Sequence, residues 1–278
     1  MSAARRGHAA HTAERVLLLD VGNSRLKWAL LRGAYRRGQR FTRSGSLELA
    51  QLAGAGAALQ RLIAVLGPLT AIEACNVAGT AVERQLGAIA RRAGAPRPRF
   101  ARSAHAAAGV RNAYPQPWRL GVDRWAALIG ARFEHPRRAL CLVAVGTAMT
   151  IDLLDPSGRH RGGSIIPGPA LMIDSLLERT AGIRRRAGGA RAAHAVRTKP
   201  AALFARDTRG AIAAGAVHAT AALIVEAMRT ARALLGARPQ LILSGGAADV
   251  VGQLLHGRYR REDELVLRGL AVLRSERV

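Results

Sequence analysis

Residues 17–31 read LLLDVGNSRLKWALL. An apolar run delivers one carboxylate, Asp20, to a turn of Gly22, Asn23 and Ser24; a second apolar stretch follows with Lys27 near its start. An acid, turn amides and an ammonium within eight residues suit a metal–nucleotide phosphate. The acid holds hydrated Mg²⁺, while the amides and the lysine hold phosphate oxygens. Gly22 would let the backbone turn tightly and approach an anion without Cβ hindrance. Asn23 and Ser24 tolerate turn geometry and offer short polar groups. The same residues also read as an ordinary hairpin turn after a core strand.

Three more segments carry chemistry-bearing residues at loop positions: Gly121-Val-Asp-Arg124, Gly146-Thr-Ala-Met-Thr-Ile-Asp152 and Ser244-Gly-Gly246. Each has a plain reading. The first is a helix start with Asp123 as its cap, the second a hairpin, the third a strand-to-helix turn.

The elements that must position these residues alternate between strand and helix. Strands are expected at 16–21, 26–31 and 38–43, a helix at 47–66, a strand at 71–77, a helix at 81–93 and a short strand at 98–102. Pro115 and Pro117 break the pattern, and 109–118 reads as a crossover loop. A helix then starts near Asp123. Strands follow at 139–145, 150–154 and 162–166, then a long amphipathic helix at 208–235 and a strand at 240–243. Both halves therefore open strand, small-residue turn, strand. Two α/β lobes facing each other would bring both turns to one cleft.

At 278 residues the chain suits one large domain or two smaller ones, and 49% hydrophobic residues exclude a disordered protein. Charges and glycines are expected to break every apolar run below membrane-spanning length. The first fourteen residues lack the apolar segment of a secretory signal and read as a loose tail. Cys75 and Cys141 sit in apolar segments, as reduced thiols of a cytoplasmic protein would, and the histidines show no metal-binding spacing. The net charge of +25 points to polyanions. Yet apart from Lys27 and Lys199 it is all arginine in an Ala- and Gly-rich chain, as GC-rich coding produces. Aromatics make up 4%, too few for base-stacking platforms. The dense run 183–191, IRRRAGGAR, reads as a solvated loop. Salt-sensitive, non-specific binding is expected, not specific nucleic-acid recognition.

Taken in order, these segments resemble the type III pantothenate kinases of the acetate and sugar kinase superfamily, which also include Bvg accessory factor-type proteins. Asn112-Ala-Tyr114 and Gly163-Ser-Ile-Ile-Pro-Gly168 complete the pattern. The resemblance implies two RNase H-like, actin-like ATPase lobes across a nucleotide cleft, with a tail at 1–14 and lobes at 15–115 and 116–278. It implies ATP-dependent phosphorylation of pantothenate to 4′-phosphopantothenate, the first step towards coenzyme A. The alternative it carries is a nucleotide-binding regulator of the Bvg accessory factor type with little turnover.

Carried over residue by residue, the resemblance gives Asp123 as general base. Asp20, Val21, Gly22, Asn23, Ser24, Arg25, Leu26 and Lys27 form the first phosphate loop, with Asp20 near Mg²⁺. Gly146 and Thr147 bind ATP phosphates, and Gly245 and Gly246 lie beside the adenosine. Tyr114, Gly121, Val122, Asp123 and Arg124 line the pantothenate pocket. Thr180 contacts substrate across a homodimer interface. Arg124 could orient Asp123, pair with the substrate carboxylate or support transition-state charge, and Asp152 takes no definite role. Many members carry an Asp three residues before the Thr of Gly-Thr-Ala to bind K⁺ or NH₄⁺. This chain has Ala144 there, and a methyl group ligates no cation, so the chain is expected either to depend little on K⁺ or NH₄⁺ or to hold the ion mainly through backbone carbonyls.

Overall fold

The apolar run around Leu18 alternates its side chains between two buried faces, so its sheet must be covered on both sides. In the computed structural model, which describes residues 14–52, 56–187 and 202–277, β1 (Arg15–Val21) sends Val16 and Leu18 into one cluster and Leu17, Leu19 and Val21 into another. Such two-sided burial explains the unbroken apolar sequence. β1 pairs antiparallel with β2 (Arg25–Arg32), and β2 with β3 (Ser44–Glu48). After α1 (Ala57–Leu66), β4 (Ala71–Asn76) lies parallel to β1. After α2 (Thr80–Arg92), β5 (Arg99–Phe100) lies parallel to β4. Leu59 and Ile63 of α1 and Leu86 and Ile89 of α2 cover the Leu17 face.

The segment expected as a crossover loop holds β7 (Val110–Arg111), which closes a small hairpin with β6 (Ala106–Ala107) just before it, and a 3₁₀ turn at Pro117–Arg119. Then come α3 (Val122–Glu134), β8 (Leu140–Val145), β9 (Ala148–Leu154) and β10 (His160–Pro167). They are followed by α4 (Pro169–Arg179), α5 (Ala181–Arg186), α6 (Thr208–Leu235) and β11 (Gln240–Ser244). α7 (Ala248–Gly252), β12 (Tyr259–Arg261) and α8 (Leu265–Ser275) complete the described chain. The two large sheets have orders β3-β2-β1-β4-β5 and β10-β9-β8-β11-β12. The second repeats the first strand for strand: an antiparallel opening hairpin whose inner strand then pairs in parallel with a later strand. The expected echo is thus a repeated topology.

One helical layer lies between the sheets. Trp125, Leu128 and Ile129 of α3 and Leu267, Leu270 and Ala271 of α8 share a cluster with Val16 and Leu18 of the first sheet and Leu140, Leu142 and Leu154 of the second. The outer face of the second sheet is covered by Ile173 of α4, Val217, Ala221 and Ile224 of α6, and Val250 and Val251 of α7. α8 is tied back to the first sheet by Arg274, which bonds Glu73 of β4 at 3.0 Å and also Glu14. α3 and α8 meet through glycines: a Cβ on Gly269 would run into the Ala126 carbonyl, and one on Gly130 into the Leu265 carbonyl.

Several expected boundaries move. No strand forms at 38–43. Gly38 takes a left-handed φ of 74°, and the Gln39 amide bonds the Arg36 carbonyl at 3.0 Å, closing a turn. The third strand is β3, and Leu47 and Glu48, expected to begin a helix, instead pair with Leu26 and Arg25. The free edge of β2 outweighs their helical periodicity. A 3₁₀ turn at Leu49–Leu52 follows, and the helix starts only at Ala57. The 208–235 helix forms as expected. The Asp207 side chain caps the Gly210 amide at 2.8 Å, and Gly236 ends the helix with a left-handed φ of 69°. By length and composition this helix is also apolar enough to cross a membrane, contrary to expectation. The reason is its alanine content, and 44% of that apolar window is buried in this fold. The expected tail lies outside the described residues except for Glu14, as does the 188–191 end of the arginine run.

The helix contact makes a prediction opposite in sign to helix propensity. Alanine is favoured over glycine inside a helix by about 1 kcal/mol. Gly269→Ala is nonetheless expected to destabilise the protein by roughly 1–3 kcal/mol in urea melts, because the added methyl is overpacked against backbone. A stabilised variant would refute the close approach.

Candidate active site

Strand alternation decides which side chains reach the cleft. Asp20 follows Val16 and Leu18 on the face of β1 that looks toward α3, and its cross-strand partners are Lys27 of β2 and Cys75 of β4. Val21 and Leu26 point the other way, into the outer core, so only their backbone is left to face the turn. The turn closes through a 2.9 Å bond from the Gly22 amide to the Arg25 carbonyl and leaves Asn23 and Ser24 exposed. Gly22 does not use its left-handed freedom; an added Cβ would stand 3.3 Å from the Arg25 carbonyl. Arg25 is turned away to Glu48, bonded at 2.7 and 2.9 Å.

The matching turn of the second sheet, Gly146 and Thr147, joins β8 to β9. Its tip meets the first: Ser24 Oγ and Thr147 Oγ1 are 3.0 Å apart. The two turns thus share one cleft. Gly168 donates to the Thr147 carbonyl at 2.8 Å, which explains why the Gly163–Gly168 segment accompanies this turn. Ala144 lies between Thr150 and Ser244 in the sheet.

Gly245 follows β11 with a φ of 96°, where an added Cβ would collide with the Val145 backbone. Its amide bonds Asp263 at 3.2 Å, its carbonyl accepts from Arg261 at 2.8 Å, and the Ala247 amide bonds the Val145 carbonyl at 3.1 Å. Gly245 and Gly246 are therefore docked beside the Gly146 turn. Arg261 and Asp263 fasten the loop and were missed by sequence reasoning, because their short strand carries no pattern.

Gly121 precedes α3, and Asp123 lies within the first turn rather than at the cap. Its Oδ1 accepts the Arg124 amide at 2.8 Å, and a Cβ on Gly121 would stand 2.6 Å from that oxygen. Val122 and Tyr114 pack half-buried against the central core. Asn112 shapes the loop that presents Tyr114: its amide bonds the Ala104 and Pro117 carbonyls at 3.2 and 3.3 Å, and its oxygen accepts the Tyr114 amide at 3.0 Å. The Arg124 guanidinium does not bond the Asp123 side chain. It makes a two-point pair with Asp152 at 2.6 and 2.8 Å and donates to the Tyr114 hydroxyl at 3.2 Å. Asp152 thereby gains a role that sequence left open. Thr180 stands apart: it ends α4, and its hydroxyl bonds the Leu176 carbonyl at 2.5 Å.

The carboxylates carry the electrostatics. Burial pushes Asp20 up to about 6, with Lys27 lowering it and the charge of Asp123 raising it further. Burial also raises Asp123, against the amide and charge of Arg124. Cys75 beside them is pushed well up, by burial and then by both acids. Among the described residues no hydrogen bond satisfies the Asp20 carboxylate, and no cluster of three or more His, Cys, Asp or Glu residues forms a cage. That donor set fits Mg²⁺ held by one or two carboxylates together with substrate phosphates. Asp20 and Asp123, coupled across the cleft beside two amide-lined turns, form a site able to hold a polyphosphate and accept a proton.

The Asp20 shift implies a stability signature. The folded protein binds this proton more tightly than the unfolded chain, so stability falls as pH rises from 3.8 to about 6 and stays lowered above. In metal-free buffer, Asp20→Asn is expected to be more stable than the parent by about 1–2 kcal/mol at pH 7. The difference should vanish near pH 4 in urea melts taken across that range. A variant less stable at pH 7 would refute it.

A sequence model of the type III pantothenate kinases matches residues 16–230. The type III pantothenate kinase of Aromatoleum aromaticum is 38% identical over 262 residues, covering 94% of this chain and 98% of its own. That of Burkholderia thailandensis is 38% identical over 261 residues, covering 92% and 96%. Among solved structures, a Baf family protein from Campylobacter jejuni superposes with a TM-score of 0.55 at 18% identity, covering 94% of this chain and 98% of its own. A Sinorhizobium meliloti protein described as a 2-dehydro-3-deoxygalactonokinase gives 0.51 at 16% identity, covering 94% and 96%. These two likenesses speak for the fold alone. With nearly its whole length matched, the chain belongs to the type III pantothenate kinase family.

Proposed function

We propose that this chain transfers the γ-phosphoryl group of ATP to the hydroxyl of pantothenate, giving 4′-phosphopantothenate for coenzyme A synthesis. The observation that carries the reading is the pairing of the two phosphate turns, Ser24 against Thr147 at 3.0 Å, beside Asp20 and Asp123. Phosphoryl transfer asks for positioning and charge neutralisation more than for covalent chemistry. Asp20 and Lys27, with the amides of the Asn23-Ser24 and Gly146-Thr147 turns, would cradle the triphosphate. Mg²⁺ on Asp20 would neutralise phosphate charge. Gly245 and Gly246 would border the adenosine.

Asp123 would accept the hydroxyl proton. Its raised affinity for a proton suits a general base, worth about 10²–10⁴-fold. Tyr114, Gly121, Val122 and Arg124 would hold pantothenate. An ionisable pair at the cleft favours turnover over a regulator that binds nucleotide alone. Ala144 supplies no carboxylate for K⁺ or NH₄⁺, so activity would not depend on these ions. Cys75 and Cys141, free and buried, fit a cytoplasmic setting.

We assign the functional form to a homodimer in which Thr180 reaches the partner's pocket. Ile165 of β10, Leu171 and Leu176 of α4, and Phe204 are exposed apolar side chains, Phe204 at 90%. Such exposure supports a covered face. Light scattering is expected to give a dimer; a fully active monomer would refute this assembly.

The deciding experiment incubates the protein with pantothenate, ATP and Mg²⁺ and detects 4′-phosphopantothenate by mass spectrometry. The parent is expected to make product equally in Na⁺ and K⁺ buffers. Folded Asp123→Asn is expected to lose about 10²-fold or more. No product from folded parent protein in either buffer would refute the kinase reading. Activity restored only by K⁺ would refute the role given to Ala144.

A further inference from the structure

Four side chains from four parts of the chain close a ring beside Asp123. Arg124 of α3 is 5% exposed. Its Nε donates to Asp152 Oδ2 at 2.8 Å and its Nη2 to Oδ1 at 2.6 Å. Oδ1 also bonds His160 Nε2 of β10 at 2.8 Å. A carboxylate only accepts, so Nε2 carries a proton. The His160 ring, 0% exposed, stacks on Tyr114 with centroids 6.1 Å apart and planes 12° apart. Tyr114 closes the ring by accepting from Arg124 Nη1 at 3.2 Å. Gly163 leaves the room: a Cβ there would stand 2.6 Å from both Arg124 Nη2 and Asp152 Oδ1. Burial works against the Asp152 charge, yet the bonds from His160 and Arg124 hold its carboxyl below the ordinary value.

A buried ion pair is a poor way to gain stability, since apolar replacements often do as well. What this ring does supply is direction. A guanidinium has five N–H donors. Three are engaged here, and one remains on each terminal nitrogen. We propose that Asp152 and His160 are positioning residues, which lock the plane of Arg124 so that its two remaining N–H groups meet an oxygen anion of the acceptor substrate next to Asp123. This rests on the reading that Arg124 touches pantothenate. Asp152 acts by holding the Nε edge, and His160 by holding Asp152 and backing the Tyr114 ring.

The test is steady-state kinetics on Asp152→Asn, His160→Ala, His160→Gln and Arg124→Lys, with KM for pantothenate and for ATP measured separately alongside thermal melts. Asp152→Asn and His160→Ala are expected to raise the pantothenate KM about tenfold or more and leave the ATP KM unchanged. His160→Gln, whose amide nitrogen can replace Nε2 on Asp152, is expected to recover most of that loss. If Asp152→Asn fails to fold, the two His160 variants decide. Equal rises in both KM values, no rescue by glutamine, or an unchanged pantothenate KM in a folded variant would overturn the proposal. Arg124→Lys separates the two levels. If it leaves the pantothenate KM unaltered, the contact between Arg124 and substrate is wrong and the proposal falls with it. If it raises KM while the Asp152 and His160 variants do not, only the positioning role is lost.

Discussion

Among the described residues α3 and α8 form the helical layer between the two sheets, and their closeness sets the geometry at the cleft. A layer built through Gly130 and Gly269, backbone against backbone, holds the inner faces of both sheets within reach of one pair of helices. Asp123 can feel Asp20 from one sheet, while Arg124 grips Asp152 of the other. A wider layer, with side chains at the glycine positions, would pull the strand ends apart and separate Ser24 from Thr147.

Function runs against stability inside that frame. Asp20 sits where burial disfavours its charge and Lys27 only partly offsets it, and Asp123 is disfavoured likewise. Asp152, by contrast, is satisfied in the protein alone.

Local chemistry was legible where it depended on near neighbours. The LLLDVGNS run announced a buried strand and a turn because both faces of β1 are covered and the Gly22–Arg25 bond closes within a single turn of the chain. The 208–235 helix was legible because Asp207 and Gly236 cap it locally. Gly121 to Arg124 could be placed at a helix start for the same reason, although Asp123 proved to lie inside the first turn.

By itself, the sequence determined the strand-turn-strand openings, the carboxylates at their ends and the family to which the chain belongs. Tertiary structure alone decided which residues meet. Residues 47–48 became strand because β2 had a free edge to satisfy. The Arg124 guanidinium chose Asp152, 28 residues away, over its neighbour Asp123. Ser24 found Thr147, 123 residues away. Gly163 proved to be the space an ion pair needs, and Arg261 and Asp263 the fastening of the Gly245 loop. The reason is the range of the forces involved. Turn and cap preferences act over a few residues and can be read in order along the chain. A buried charge instead takes whichever partner packing brings to it, and that depends on the whole fold.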